Sequence, residues 1–209
     1  MAMREARQFP SDVAFSAAVK EVQERKGSRR AYSRMELGHG WRTRIEPELA
    51  AFIRQQRSFF LGTASASGQP YIQHRGGPPG FLRVLDEHTL AFADFRGNRQ
   101  YISQGNLTEN PQVQLFLIDF AHRARIKIWG EAQVIEDDPR LIESLLVAGY
   151  DGQPEQAVVI RVAAWDRNCS QHIPQLLPAE EVAALLAERD ARIVALEREL
   201  GKRGKASES

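Results

Sequence analysis

Hydrophobic and polar positions alternate in short runs through the middle of the chain and recur at helical spacing towards both ends. Residues 58–64, 70–75, 81–85, 89–95, 112–119, 125–135 and 157–166 read as strands. Many of the breaks between them are turn formers: Ser67-Gly68, Gly76-Gly77-Pro78-Pro79-Gly80 and Asp86-Glu87. Strands this closely spaced predict an antiparallel barrel rather than alternating βαβ units. Helices are predicted at 46–56, with Pro47 in the first turn, at 98–109, and from about Asp138-Pro139.

The ends differ from the middle. Residues 11–26 space Val13, Ala17, Ala18 and Val22 on one helical face, with Ser11 or Asp12 as cap and Gly27 as stop. Residues 27–44, rich in Arg, Ser and Gly, read as a connecting loop with solvated arginines. From Pro178 onwards, Val182, Leu186, Ile193, Leu196 and Leu200 form a heptad-like stripe interrupted by Arg189, followed by a polar tail, GKRGKASES, expected to be disordered. A surface helix and a dimer-pairing helix both fit this stripe. The expected organisation is therefore a helical arm and loop at 1–44, a barrel domain at 45–175 and a C-terminal amphipathic helix with its tail at 176–209.

Composition narrows the partners. A formal net charge of +1 over 209 residues gives no global attraction to nucleic acid or anionic lipid. No apolar run reaches the roughly 20 residues of a membrane span, and the first residues lack the apolar core of a signal peptide. The single Cys169 excludes an internal disulfide framework. A cytoplasmic protein with neither nucleic-acid nor membrane partners is expected.

Three groups of residues carry candidate chemistry. Between 69 and 119, Arg75 closes a strand and the Gly97-Asn98-Arg99 corner precedes a helix, an order that lets guanidinium groups and backbone N–H donors converge on a phosphate. Alternation sends His74 and Arg75 to opposite faces, and Arg75, beside two glycines, is the better ligand candidate. In Arg125-Ile126-Lys127-Ile128-Trp129, two cations and an aromatic share one face, suited to an electron-rich ring or to solvent. The segment from Trp165 to His172 is dense in hydrogen-bonding side chains; His172 is the one candidate proton donor, and Cys169 is by default a buried, inert thiol.

Other chemistries lack their parts. The five histidines show no HExxH pairing, one cysteine cannot build a zinc cluster, and no metal site is expected. There is no GxGxxG after a strand, no P-loop and no Gly-x-Ser-x-Gly elbow. A bound cofactor is expected to carry the chemistry.

The stretches SGQPYIQHRGGPPGF, VLDEHTLAFADFRGNRQ, NLTENPQVQLFLID and RIKIWGEAQVIED, in that order, resemble the FMN-binding split barrels related to pyridoxamine 5'-phosphate oxidase. The resemblance covers about 46–166. It implies an α+β fold, mainly β: a six-stranded antiparallel split β-barrel of the FMN-binding type with N- and C-terminal helical additions. It also implies a homodimer with FMN at the subunit interface, acting as an FMN-dependent oxidoreductase on a small molecule. The alternatives are a non-catalytic flavin carrier and a haem-binding split barrel.

Carried over residue by residue, Arg75, Gly97, Asn98 and Arg99 would hold the phosphate. Gln73, His74 and Asp94 would line the ribityl chain or ring edge, and Arg125 and Lys127 would approach the pyrimidine side. Trp165, Gln171 and His172 would arrive from the other subunit. The chain departs from the oxidases where they carry Arg-x-Val-Leu-x-Lys, reading QHRGGPPGFLRVLD instead, and it continues past NCSQHIPQLLP into a long helix. A substrate other than vitamin B6 is expected.

Overall fold

The computed structural model describes the backbone of residues 8–207 and the side chains of residues 8–200. The alternating runs become seven strands: β1 Ser58–Ala64, β2 Pro70–Gly76, β3 Arg83–Asp86, β4 Thr89–Phe95, β5 Gln112–Asp119, β6 Ala124–Ile135 and β7 Pro154–Asn168. They form one sheet in the order β2-β1-β5-β6-β7-β4-β3. The pairs β1–β2, β1–β5, β3–β4, β4–β7 and β6–β7 are all antiparallel. The expected class holds, with seven strands rather than six; the short β3 pairs with β4 at the edge and adds the seventh.

Side chains show that the sheet curls. Phe59 of β1 stacks on Phe81 at 5.7 Å and meets Phe92 of β4 edge-on at 5.4 Å, although three strands separate β1 from β4 in the order. Arg75 of β2 forms an ion pair with Asp94 of β4 across an even wider gap in the ladder. Two strands that share no backbone ladder are thus joined through side chains, which is what makes the barrel split. Inside, Phe59 and Leu61, Leu115 and Leu117, Ile126 and Ile128, and Val158 and Ile160 come from alternate positions of four strands and form one apolar cluster. A helix at Pro47–Gln55, which we number α3, adds Leu49 and Ile53 to the same core. Proline at its first turn forgoes an N–H that has no helical partner there.

The N-terminal arm differs from its predicted form. Pro10–Val13 is a short 3₁₀ turn, and α1 spans Ala17–Arg25 with Ser16 as its cap, accepting from the Val19 N–H at 3.3 Å. The segment expected to be a loop contains a second helix, α2, at Arg29–Leu37. Its stabilisation is polar: Arg29 pairs with Glu36 and donates to Gln23 Oε1 at 2.6 Å, and the buried Ser11 hydroxyl donates to Glu36 Oε1 at 3.2 Å. Arg29 is therefore tied down rather than solvated.

The next two helices lie between strands. α4 spans Ile102–Glu109, three or four residues later than the corner at 98–99 where the pattern placed its start. α5 spans Pro139–Leu145 and is capped by Asp138, which accepts from the Leu141 N–H at 2.9 Å.

The chain divides into two compact units. The first holds the described residues up to Asp119 together with Arg125–Cys169; the second holds Phe120–Ala124 and the described residues from Ser170 onwards. Within the second unit, Leu176 N–H donates to the Phe120 carbonyl at 3.3 Å, Arg123 Nε to Ile173 O at 3.0 Å, and Gln175 Nε2 to Ala121 O at 3.0 Å. Its helix α6 runs Ala179–Ser207, with Glu180 and Glu181 in the first turn, where they complement the helix dipole. The tail expected to be disordered is thus helical as far as Ser207; its last residues, 208–209, lie outside the described residues. Among the described residues, no helix is long and apolar enough to cross a membrane.

Candidate functional site

The strongest concentration of candidate residues surrounds a polar cavity of about 270 Å³ in the first unit. Gln73 and Arg75 reach it from β2, Asp94 from the end of β4, and Gly97, Asn98 and Arg99 from the corner that follows. Six of the twelve predicted site residues therefore meet at one place. Tyr71, Phe95, Gln100 to Gln104, Glu155 and Gln156 complete the lining and were not foreseen. Tyr71 was accessible to reasoning, because it shares the i, i+2, i+4 face of β2 with Gln73 and Arg75. Gln156 was not, since its place opposite Asp94 follows from the β4–β7 register.

The cavity floor is an ordered polar network. Asp94 Oδ1 pairs with Arg75 Nη1, and Asp94 Oδ2 accepts from Gln156 Nε2 at 2.9 Å. The Arg75 guanidinium lies 5.7 Å from the Phe92 ring centre, and its buried Nε–H has no partner among the described residues. Ser103 Oγ donates to Gln73 Oε1 at 2.7 Å, and Asn106 Nδ2 donates to Thr63 Oγ1 at 3.0 Å; these bonds tie α4 to β2 and β1. The buried Ser103 and Leu107, four residues apart, give α4 its inward face.

The corner itself is strained. Arg99 (φ +59°) and Tyr101 (φ +52°) both adopt the left-handed conformation that side chains normally avoid. Such residues gather at functional sites, where surrounding structure holds them in place. Tyr101 is also the N-cap of α4, and no side chain caps that helix end, so the first-turn donors belong to Ile102, Ser103 and Gln104, all of which line the cavity. Arg99 is exposed, with Nε 3.0 Å from the Tyr101 hydroxyl. That hydrogen bond, with the nearby Glu155 carboxylate, raises its basicity above the ordinary arginine value.

The other predicted residues lie elsewhere. His74 is exposed on the opposite face of β2 from Arg75, edge-on to Phe60 at 5.8 Å. Arg125 and Lys127 do share a face with Trp129, but Ile126 and Ile128 occupy the core side, so the two cations project outwards and line no part of this cavity. The aromatic there is already occupied: Trp129 stacks on Trp41 at 4.5 Å, Trp41 meets Phe15 at 5.0 Å, and Lys127 sits 5.3 Å from the Trp129 ring. Burial lowers the Lys127 pKa, against the pull of Asp166, while burial raises that of Asp166 itself.

Trp165 is a core residue. Its indole N–H donates to the Arg44 carbonyl at 2.7 Å, and only 6% of it is exposed. Strict alternation from Val158, Ile160 and Val162 would have sent it outwards. The register slips by one residue where Trp129 opposes Ala164 and Gly130 opposes Val162, which reverses the parity. Gly130 is needed at that step, because a Cβ there would lie 2.4 Å from the Arg161 carbonyl oxygen.

Gln171 and His172 belong to the second unit, both exposed, with His172 in the left-handed region at φ +62°. Cys169 is exposed and free rather than buried.

Comparison with known proteins fits this architecture. A family model described as pyridoxamine 5'-phosphate oxidase matches residues 45–169, more than half of the chain. The chain belongs to this family. Similar solved structures include HupZ from Group A Streptococcus, at 18% identity, covering 64% of this chain and 99% of that one with a TM-score of 0.49. An FMN-binding protein from Syntrophomonas wolfei is similar at 12% identity, covering 74% and 99% with a TM-score of 0.47. A protein from Clostridium acetobutylicum, related to general stress protein 26 of the pyridoxinephosphate oxidase family, is similar at 15% identity, covering 65% and 94% with a TM-score of 0.44. No curated protein matches in sequence.

The cavity has the groups to hold a phosphorylated, hydroxylated chain such as that of a flavin cofactor. Two arginines and an uncapped helix start supply what a phosphate requires, and the amides of Gln73, Asn98 and Gln100 can bond a hydroxylated chain. The orphaned Arg75 Nε–H is a buried donor without an acceptor among the described residues. By this test the residues fit.

Proposed function

We propose that the cavity between the end of β2, the β4 corner and the start of α4 holds the phosphate and ribityl chain of FMN. On this reading the protein is an FMN-dependent oxidoreductase acting on a small molecule as a homodimer. The observation that carries it is the convergence of Arg75, Arg99 and the uncapped start of α4 on one cavity, in a chain of the pyridoxamine 5'-phosphate oxidase family. FMN, when bound, supplies the hydride or electron transfer. The chain's own residues bind and orient: Arg99 and the α4 donors meet the phosphate, Asp94 and Gln156 hold Arg75 in place, and Gln73 and Asn98 offer bonds to ribityl hydroxyls. The exposed, unpaired Cys169 suits a reducing, cytoplasmic setting.

The visible spectrum of the purified protein and titrations with FMN and riboflavin test the proposal. The expected result is a flavin spectrum and a marked preference for FMN, which carries the phosphate that riboflavin lacks. Arg99→Ala should weaken FMN binding roughly tenfold and leave riboflavin nearly unaffected, as loss of one charge-assisted bond implies. Colourless protein that ignores excess FMN refutes the reading, and a Soret band would assign the fold to haem instead. Bound FMN that NADH or NADPH reduces no faster than free FMN would keep the binding site and remove the enzymatic claim.

A further inference from the structure

The apolar stripe of α6 lies open. Val182, Leu186, Ile193, Leu196 and Leu200 are between 39% and 66% exposed. Together with Arg189 they recur at intervals of four, three, four, three and four residues, the spacing of a two-stranded seam. Leu185, 54% exposed, flanks the same edge. A stripe this regular on a helix this exposed calls for a partner with the same period.

We infer that α6 pairs in parallel and in register with α6 of a second copy of the chain. Charge decides both the occupant and the direction. With Leu186, Ile193 and Leu200 in one seam position and Val182, Arg189 and Leu196 in the other, Arg192 and Glu197 fall on opposite flanks of the seam. A parallel pairing brings residues five apart on those flanks face to face, so Arg192 meets the partner's Glu197, twice by symmetry. In the same alignment the two Arg189 share one seam layer, where each packs beside the partner's Asp190, so the layer holds two cations and two counterions. The antiparallel alignment with the fullest apolar overlap sets Leu186 against the partner's Leu196, and it also forces Asp190 against the partner's Asp190 and Arg192 against the partner's Arg192. Like charges there are destabilising.

Three heptads are marginal in isolation, so the pairing rests on the homodimer of the proposed function, whose remaining contacts raise the effective concentration of the two helices. It is independent of FMN. The experiment therefore uses the full chain, with Cys169→Ser to remove the exposed native thiol. Ile193→Cys in the seam and Arg198→Cys on the outer face are oxidised mildly and separated without reductant.

Ile193→Cys is expected to become a covalent dimer almost completely and independently of dilution, while Arg198→Cys stays monomeric on the gel. Arg192→Glu should lower the Ile193→Cys yield several-fold, and adding Glu197→Arg should restore it. A chain that light scattering finds monomeric overturns the inference together with the homodimer. A dimer in which Ile193→Cys does not cross-link overturns the inference alone, and cross-linking of Leu186→Cys with Leu196→Cys in its place assigns the antiparallel arrangement. Flavin titration of the same samples reports separately on the cofactor.

Discussion

The Arg75–Asp94 pair is expected to hold the split barrel together, and a double-mutant cycle can measure it. β2 and β4 share no ladder hydrogen bonds, and this ion pair links them directly, with side chains only 15% and 13% exposed. Removing one partner of a buried pair strands the other charge, at about 3 to 5 kcal/mol. Asp94 retains its bond from Gln156 and a little solvent, so Arg75→Ala should fall at the lower end, about 3 kcal/mol. Asp94→Ala should cost a similar amount, eased by the Phe92 ring beneath the guanidinium. The double variant leaves no stranded charge, and the coupling should be about 2 kcal/mol, within the range for residues in one network. Against a total stability of about 5 to 15 kcal/mol, such changes are plain in urea unfolding at constant slope. A coupling below about 0.5 kcal/mol would refute the idea that this contact closes the barrel.

Two further outcomes are expected. Trp165→Phe keeps most of the buried apolar surface but leaves the Arg44 carbonyl without its donor, so it should cost about 1 to 2 kcal/mol in urea unfolding while FMN affinity stays unchanged; weakened FMN binding would place the indole in the site after all. Asp166 has its carboxyl raised above the ordinary 3.8 by burial, against the opposing pull of Lys127, so across the window from 3.8 up to that raised value the folded state binds more protons than the unfolded state. Stability contributed there must fall as pH rises through the window, and Asp166→Asn should remove that fall when thermal midpoints are compared across it. Parallel curves for the two proteins would contradict the assignment.

The sheet was readable because burial alternates with the period of the strands themselves: Phe59, Leu61 and Thr63 face inwards in β1 as the pattern requires. The place of the corner at the cavity was readable for a different reason, since Gly97-Asn98-Arg99 puts a turn former, a short polar side chain and a cation at a strand end. What escaped reading depended on distant residues or inverted the usual pattern. α2 buries Glu36, not an apolar residue, and Glu36 becomes tolerable inside only because Arg29 pairs with it from the preceding turns of the same helix. Trp165 turned inwards through a register slip against β6 that no local pattern encodes. For Arg125, Lys127 and Trp129 the common face was read correctly, but not its neighbour, because the Trp41 that stacks on Trp129 lies 88 positions earlier in the chain.

The same dependence on distant partners ranks the two arginines of the site. A guanidinium that is mostly buried before any ligand arrives needs a counterion within the protein, and Asp94 supplies it to Arg75 from another strand. On the proposed reading a phosphate in the cavity therefore meets Arg75 as an oriented donor whose charge is already offset. Arg99 is exposed, bonded only to the neutral Tyr101 hydroxyl among its described hydrogen bonds, and sits beside the uncapped start of α4. On the proposed reading its charge, which only Glu155 offsets in part, is the one a dianion meets. Arg99 should therefore set the preference for FMN over riboflavin, whereas Arg75 should matter more for the stability of the barrel. The two arginines looked equivalent in the sequence; the carboxylate opposite one of them gives them different work.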